Sequence, residues 1–196
     1  MVLCGKVNKD ITGLIQKAGG KALGLCGIDG AMLQGRQIKA QGEDLGFVGE
    51  ISQVNTALLE ATLDQGYVPV ISTVAIDLEA ESVQVLNINA DPAAAKIAAA
   101  LGAEKLILMT DVQGILKDVQ NPASLIKVAN LDELETLRAE GIVSKGMIPK
   151  VDCCRLALEG GVKKAYIIDG RMPHALLLEL FTDEGIGTMI EQRNDL

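Results

Sequence analysis

The stretch NINADPAAAKIAAALGAEKLILMTDVQGIL, residues 87–116, decides the fold. Its first residues close an apolar strand over 83–88. Asp91-Pro92 then marks a helix start: an acidic cap, followed by proline at the first helical position, where no N–H is needed. The alanine-rich run 93–101 has high helix propensity, and Gly102 stops it. KLILM at 105–109 is a second apolar strand. Strand, helix, strand in this order is a crossover unit, and crossovers set strands parallel.

The same alternation extends in both directions. Upstream, Val7, Ile11, Leu14, Ile15 and Ala18 recur near a 3.6-residue period and predict an amphipathic helix over 6–18. Gly19-Gly20 ends it, and 21–26 reads as a buried strand. Asp29-Gly30 is a tight-turn signal with a hairpin running on through Gly49. A second helix is expected over 51–65, closed by Gly66, and a strand over 68–73. Downstream, 117–124 reads as a loop. Asn130 and Glu133 predict a capped helix over 131–140. A helix over 149–159, a strand over 163–168, a helix over 173–181 and a strand over 187–190 complete the chain. The expected class is α/β: a three-layer αβα sandwich around a mainly parallel open sheet, with no internal repeat and no linker.

At 196 residues the chain is about one domain long, taking roughly 150 residues per domain. Hydrophobic residues make up 48 % and charged residues 22 %, which supports a core and argues against disorder. The formal net charge is −8, with four aromatic residues and no tryptophan. That composition has neither the basic footprint nor the stacking platforms of a nucleic-acid binder. Cys4, Cys26, Cys153 and Cys154 form no C-x-x-C or metal spacing, so reduced thiols in a cytoplasmic protein are expected. No run of about 18 apolar residues is present for a membrane span, and the first residues do not read as a signal peptide.

Several catalytic signatures are missing. Gly141 to Gly146 has phosphate-loop glycine spacing, but Met147 stands where the lysine belongs. Neither G-x-G-x-x-G nor G-x-S-x-G occurs. The one histidine, His174, reads as a surface residue at a helix start. What remains is anion handling where strands give way to helices, at 87–91, 110–114 and 145–150. Lys150, in the first turn of a helix, opposes the helix dipole. It either shares an anion with that helix end or is a solvated lysine carried at a few tenths of a kcal/mol. Asp91 is either a helix cap or the holder of a cation such as Lys150. Asn87 and Asn89 either present an amide to a ligand or satisfy turn backbone. The residues alone point to an α/β anion site.

In these segments the sequence resembles the amino-acid kinase family. The matching words are GKVNKDI at 5–11, GLCGIDG at 24–30, GYVPVIS at 66–72, the stretch 87–116, KGMIPKV at 145–151 and DGRMPHALLLELFTDEGIGTMI at 169–190. The resemblance runs along essentially the whole chain and is to the arginine-sensitive branch acting on N-acetyl-L-glutamate. It implies the amino-acid kinase fold and transfer of the γ-phosphoryl group of ATP to the side-chain carboxylate of that substrate, in arginine biosynthesis. By resemblance Asn87 and Asn89 hold the substrate, Asp91 orients catalytic lysines, and Lys150 stabilises the phosphoryl charge. Thr110, Asp111, Gly114, Gly146 and Met147 lie around ATP, whose phosphates carry Mg²⁺, with no metal ligand from the protein. His174, Glu184 and Gly187 are implied in a feedback site for arginine, and a homo-oligomer is expected.

The resemblance further implies one domain in two lobes: residues 1–75 as the remainder of the amino-acid-substrate lobe and 76–196 as the ATP-binding lobe. The family also uses a glycine-rich loop with its own lysine, a second glycine pair and a lid arginine, and none of these precedes Met1. The chain is therefore expected to be N-terminally incomplete, with weak or absent turnover and an open sheet edge. The alternatives are a non-catalytic fragment binding nucleotide or arginine, or a kinase for another amino acid.

Overall fold

The computed structural model describes residues 1–40, 43–143, 146–182 and 185–192. The chain divides into two compact units, Met1–Ala93 and Ala94–Leu196.

In the first unit a wide helical turn at Val2–Val7 runs into α1 (Asn8–Lys17), followed by β1 (Ala22–Cys26). Then come β2 (Leu33–Ala40), β3 (Glu43–Val54), α2 (Ala57–Asp64), β4 (Val68–Ser72), β5 (Val74–Asp77) and β6 (Gln84–Ile88). β1 and β4 pair in parallel, Ala22 opposite Val68 through Cys26 opposite Ser72. The Asn8 side-chain amide donates to the carbonyls of Leu25 at 3.0 Å and Val70 at 2.7 Å, fastening α1 to both strands at once. β2, β3, β6 and β5 close into a small barrel of antiparallel and parallel pairs. Met32, Leu33, Leu59 and Leu86 are fully buried in this unit.

The boundary between the units falls in α3 (Ala90–Ala100). The second unit continues with β7 (Lys105–Thr110), β8 (Val128–Asn130), α4 (Leu131–Ala139), α5 (Ile148–Glu159), β9 (Lys164–Asp169), α6 (Ala175–Phe181) and β10 (Thr188–Glu191). Its sheet has the order β7-β9-β10-β8, with β7–β9 and β10–β8 parallel and β9–β10 antiparallel. β9 shows why both sheet faces are covered. Ala165 and Ile167 belong to one core cluster with α3, α4 and α5, while the alternating Tyr166 and Ile168 belong to another with Ala175 of α6. Full burial of side chains such as Ile167 and Leu158 contributes about 1.5–3 kcal/mol each. The α/β class and the parallel strand pairs therefore stand.

Four local expectations need correction. Residues 51–54 continue β3, and the helix expected from 51 begins only at Ala57, because pairing with β2 holds Ile51 and Val54 in the barrel. Strands β5 and β8 were not expected. Among the described residues the strands pair as two sheets and a barrel. In particular, β6 joins the barrel through its local antiparallel pairing with β5, while β7 pairs with β9, so 83–109 is not a crossover within one sheet. Finally, α3 starts at Ala90, and Asn89 rather than Asp91 caps it. The Asn89 Oδ1 accepts the Asp91 N–H at 3.1 Å, and the Asn89 carbonyl accepts from Ala93. Proline fits anywhere in a first helical turn, since those N–H groups lack helical partners, so Asp-Pro alone does not identify the cap.

Candidate functional site

In the first unit the candidate residues gather where β1, β4 and β6 run out. The backbones of Thr73 and Ile88 bond at 3.0 Å, and the Thr73 hydroxyl donates to the Ile88 carbonyl at 3.0 Å. Asn87 lies on β6 opposite Val74, and both Asn87 and Asn89 are exposed. Asn89 is the α3 cap, so the turn-satisfying role holds for it. Asp91, in the first turn of α3, is half-buried and favourably placed for the helix dipole. The glycine-rich segment 24–30 takes in the end of β1 and the turn after it. The Gly27 N–H donates to Ser72 at 3.1 Å, and a Cβ on Gly27 would stand 2.1 Å from the Val74 carbonyl oxygen, so only glycine allows this approach. Asp29 Oδ2 accepts the Cys26 N–H at 2.8 Å and fixes the turn.

In the second unit β7 and β9 end side by side. The Gly170 N–H donates to the Thr110 carbonyl at 2.8 Å. The Thr110 hydroxyl accepts from the Val112 N–H at 3.1 Å and donates to the Val112 carbonyl at 3.0 Å, so this side chain builds the turn that carries Asp111. Gly114 has φ 147°, and a Cβ there would lie 2.5 Å from the Thr188 hydroxyl. That hydroxyl accepts the Ile115 N–H and locks the segment to β10. A cavity of about 100 Å³ is lined by Val112, Gly114, Ile115, Leu116, Ile142 and Met147, among others. Gly114 and Met147, 33 residues apart, thus meet in one apolar recess. Met147 caps α5, Pro149 follows in its first turn, and Lys150 is half-buried in that turn. Gly146 is exposed.

Asp169 and Arg171 were not among the expected site residues, yet they flank this end of the sheet. Arg171 Nε and Nη2 donate to the two Asp169 carboxylate oxygens at 2.9 and 2.8 Å, and its backbone N–H adds a third bond at 2.9 Å. These bonds hold the Asp169 carboxyl down at about 2. The Asp111 charge acts on the same guanidinium.

A second cavity, of about 240 Å³, lies beside α6 and includes Lys127, Tyr166, Glu179, Thr182 and Gly187 in its lining. Glu179 Oε2 accepts the N–H groups of Ile186 at 2.7 Å and Gly187 at 3.0 Å. Burial, followed by the charges of Glu179, Glu191 and Glu104, raises the Tyr166 hydroxyl above its ordinary range. Of the residues implied for arginine, Gly187 lines this cavity. His174 is exposed and caps α6 with φ 60°, as a helix-start residue, and it is not part of that lining. Glu184 and Lys145 lie outside the described residues. Lys127, Tyr166 and Glu179 carry no spacing signal, because the cavity joins positions up to 62 residues apart only after folding. Among the described residues no group of three or more His, Cys, Asp or Glu side chains is arranged to hold a metal ion, and no helix is long and apolar enough to cross a membrane.

Comparison with known proteins adds an independent line. The chain is 54 % identical over 190 residues to an acetylglutamate kinase of Clostridium beijerinckii, covering 97 % of this chain and 66 % of that protein. It is 57 % identical over 190 residues to an acetylglutamate kinase of Nostoc sp., covering 97 % and 62 %. The chain thus spans slightly under two thirds of the length of these curated relatives. Among solved structures it resembles an N-acetylglutamate synthase from Neisseria gonorrhoeae complexed with coenzyme A and N-acetyl-glutamate. That match has a TM-score of 0.78 and 26 % identity, and covers 95 % of this chain and 43 % of the other. The model described as "Amino acid kinase family" matches residues 1–169, which take in β1 through β9 and both strand-end clusters. By fold, motif order and this match over most of its length, the chain belongs to the amino-acid kinase family.

Proposed function

We propose that this chain takes part in ATP-dependent phosphorylation of the side-chain carboxylate of N-acetyl-L-glutamate, a step of arginine biosynthesis, in the cytoplasm and as a homo-oligomer. The observation that carries the reading is identity of 54–57 % over 190 residues with acetylglutamate kinases, through every strand-end segment in order. The chemistry suits the residues. A carboxylate with an ordinary pKa near 4.3 is already a nucleophile at pH 7, so the acceptor needs no general base. Catalysis then rests on in-line positioning and on positive charge at the transferred group.

Asn87 and the 24–30 turn hold the acceptor, with Asn89 setting the α3 end beside them. Lys150 and the α5 N-terminus supply positive potential to the phosphoryl oxygens as they move. ATP enters as its Mg²⁺ complex, the ion riding on the phosphates as part of the substrate. Gly114 and Met147 receive the base in the apolar recess, while Thr110, Asp111 and Gly146 shape the approach of the phosphates.

Incubation with MgATP, N-acetyl-L-glutamate and hydroxylamine tests this, because hydroxylamine converts an acyl phosphate into a coloured hydroxamate. The expected result is hydroxamate from N-acetyl-L-glutamate and none from glutamate or aspartate. Heat of MgATP binding without product selects a nucleotide-binding role instead, and neither heat nor product contradicts both.

The α6 cavity favours a second, compatible reading: arginine binds there, its guanidinium at the Glu179 carboxylate, with Lys127 and Gly187 in the lining. Calorimetry with L-arginine tests it. Binding abolished by Glu179→Gln supports the reading, and unchanged binding by that variant contradicts it.

A further inference from the structure

The thiols of Cys4 and Cys26 meet at 3.5 Å although 22 positions separate them in the chain. Cys4 lies in the helical turn Val2–Val7 and Cys26 is the last residue of β1. Both are half-buried, whereas Cys153 and Cys154 are buried in the core packed around α5. Bonds that do not involve sulfur hold the two thiols in place. The Ser72 hydroxyl donates to the Leu3 carbonyl at 3.3 Å, Asn8 grips Leu25 and Val70, and the Cys26 N–H is held by Asp29. Two sulfurs in van der Waals contact need approach by only about 1.5 Å to reach a bond of about 2.05 Å. Phosphoryl transfer as derived above uses neither thiol.

We propose that Cys4 and Cys26 form a redox-responsive dithiol, which a small-molecule disulfide such as oxidised glutathione converts into an intramolecular bridge. One protein thiolate attacks a glutathione sulfur, forming a mixed disulfide and releasing one glutathione thiolate. The second protein thiolate then attacks the protein sulfur of that mixed disulfide, and the other glutathione leaves. The protein loses two electrons and two protons, and oxidised glutathione is reduced to two thiols. Burial pushes the Cys26 thiol above the ordinary cysteine range, with Cys4 and Asp29 adding to the rise, so Cys26 captures a solution oxidant poorly by itself. Proximity to Cys4 is its route to oxidation. The bridge staples the N-terminal turn to the end of β1, at the entry of the glycine-rich turn 24–30.

The test is incubation in glutathione redox buffers, acid quenching, thiol titration in denaturant and peptide mass mapping. The wild-type chain is expected to fall from four titratable thiols to two and to yield a Cys4–Cys26 linked peptide without a glutathione adduct. Because the partner thiol is held at high effective concentration, half-oxidation should need roughly tenfold less oxidised glutathione than uptake of one glutathione by Cys4→Ser or Cys26→Ser. Glutathione on Cys4 and Cys26 without a bridge, linkage between two chains, or retention of all four thiols overturns the proposal. The wild-type result decides it even if a serine variant fails to fold.

Discussion

Helices α1 and α5 are of similar length, yet their apolar residues end in opposite environments. α1 has the cleaner 3.6-residue pattern, but Ile11 remains 43 % exposed and Leu14 65 % exposed. α5 shows little periodicity, and it buries Val151, Cys153, Cys154, Ala157 and Leu158. The difference is the supply of partners. α5 lies among β7, β9 and α4, and its polar side chains are taken up by α4 through Arg138–Asp152 at 3.1 Å and the Arg155–Glu135 pair. α1 is fastened by side-chain hydrogen bonds to strand carbonyls: Asn8 reaches Leu25 and Val70, Lys9 reaches Gly24 at 2.8 Å, and Gln16 reaches Ala22 at 3.2 Å. Periodicity states which face can be buried, and the neighbouring elements decide whether it is.

The contrast can be broken by truncation. Leu158→Ala should cost about 2–5 kcal/mol in denaturant unfolding, because a fully buried leucine leaves a cavity. Leu14→Ala should stay within about 0.5 kcal/mol. Equal costs would refute the distinction between the helices. Asn8→Ala should cost about 1–3 kcal/mol, since it leaves two strand carbonyls without their donor, and hydrogen exchange should rise first in β1 and β4. A smaller cost than that of Leu14→Ala would show that apolar contact holds α1 after all.

Capping gives a smaller and sharper check. Asn130 Oδ1 accepts the Glu133 N–H at 2.9 Å, and Glu133 returns a bond to the Asn130 N–H at 2.8 Å, so Asn130→Ala should cost about 1 kcal/mol. This box was fully legible as Asn130 and Glu133 three apart, as were α5 and the apolar strands β7 and β9. Much of the rest was not. β8 is three residues long and exists because β10 pairs with it, so no local pattern announces it. β5 follows β4 after Thr73 alone and is separated from it only by joining the barrel. The α3 cap is not legible locally, because Asp-Pro satisfies the same rule as Asn89. The recess lined by Gly114 and Met147 joins residues of two quoted motifs, while the Lys127–Tyr166–Glu179 cavity depends on strand order, which no spacing encodes.

The gentlest prediction concerns the Asp169–Arg171 pair. Its carboxyl should titrate at about 2, and Arg171→Ala should return it toward the ordinary range, as followed by carbon NMR. A depressed folded-state pKa means that the pair's contribution to stability is present above about pH 4 and fades as the pH falls toward 2. An unchanged titration in the variant would place the cause elsewhere.

The central claim is that Lys150 acts on the transferred phosphoryl group and not on ground-state binding. Lys150→Ala compared with wild type, by calorimetry with MgATP and by transfer of a labelled γ-phosphoryl group to N-acetyl-L-glutamate, tests it most directly. Nucleotide affinity should change by less than about tenfold, while the transfer rate should fall by roughly 10²–10³. Equal losses in binding and transfer, or an undiminished rate, would contradict the account.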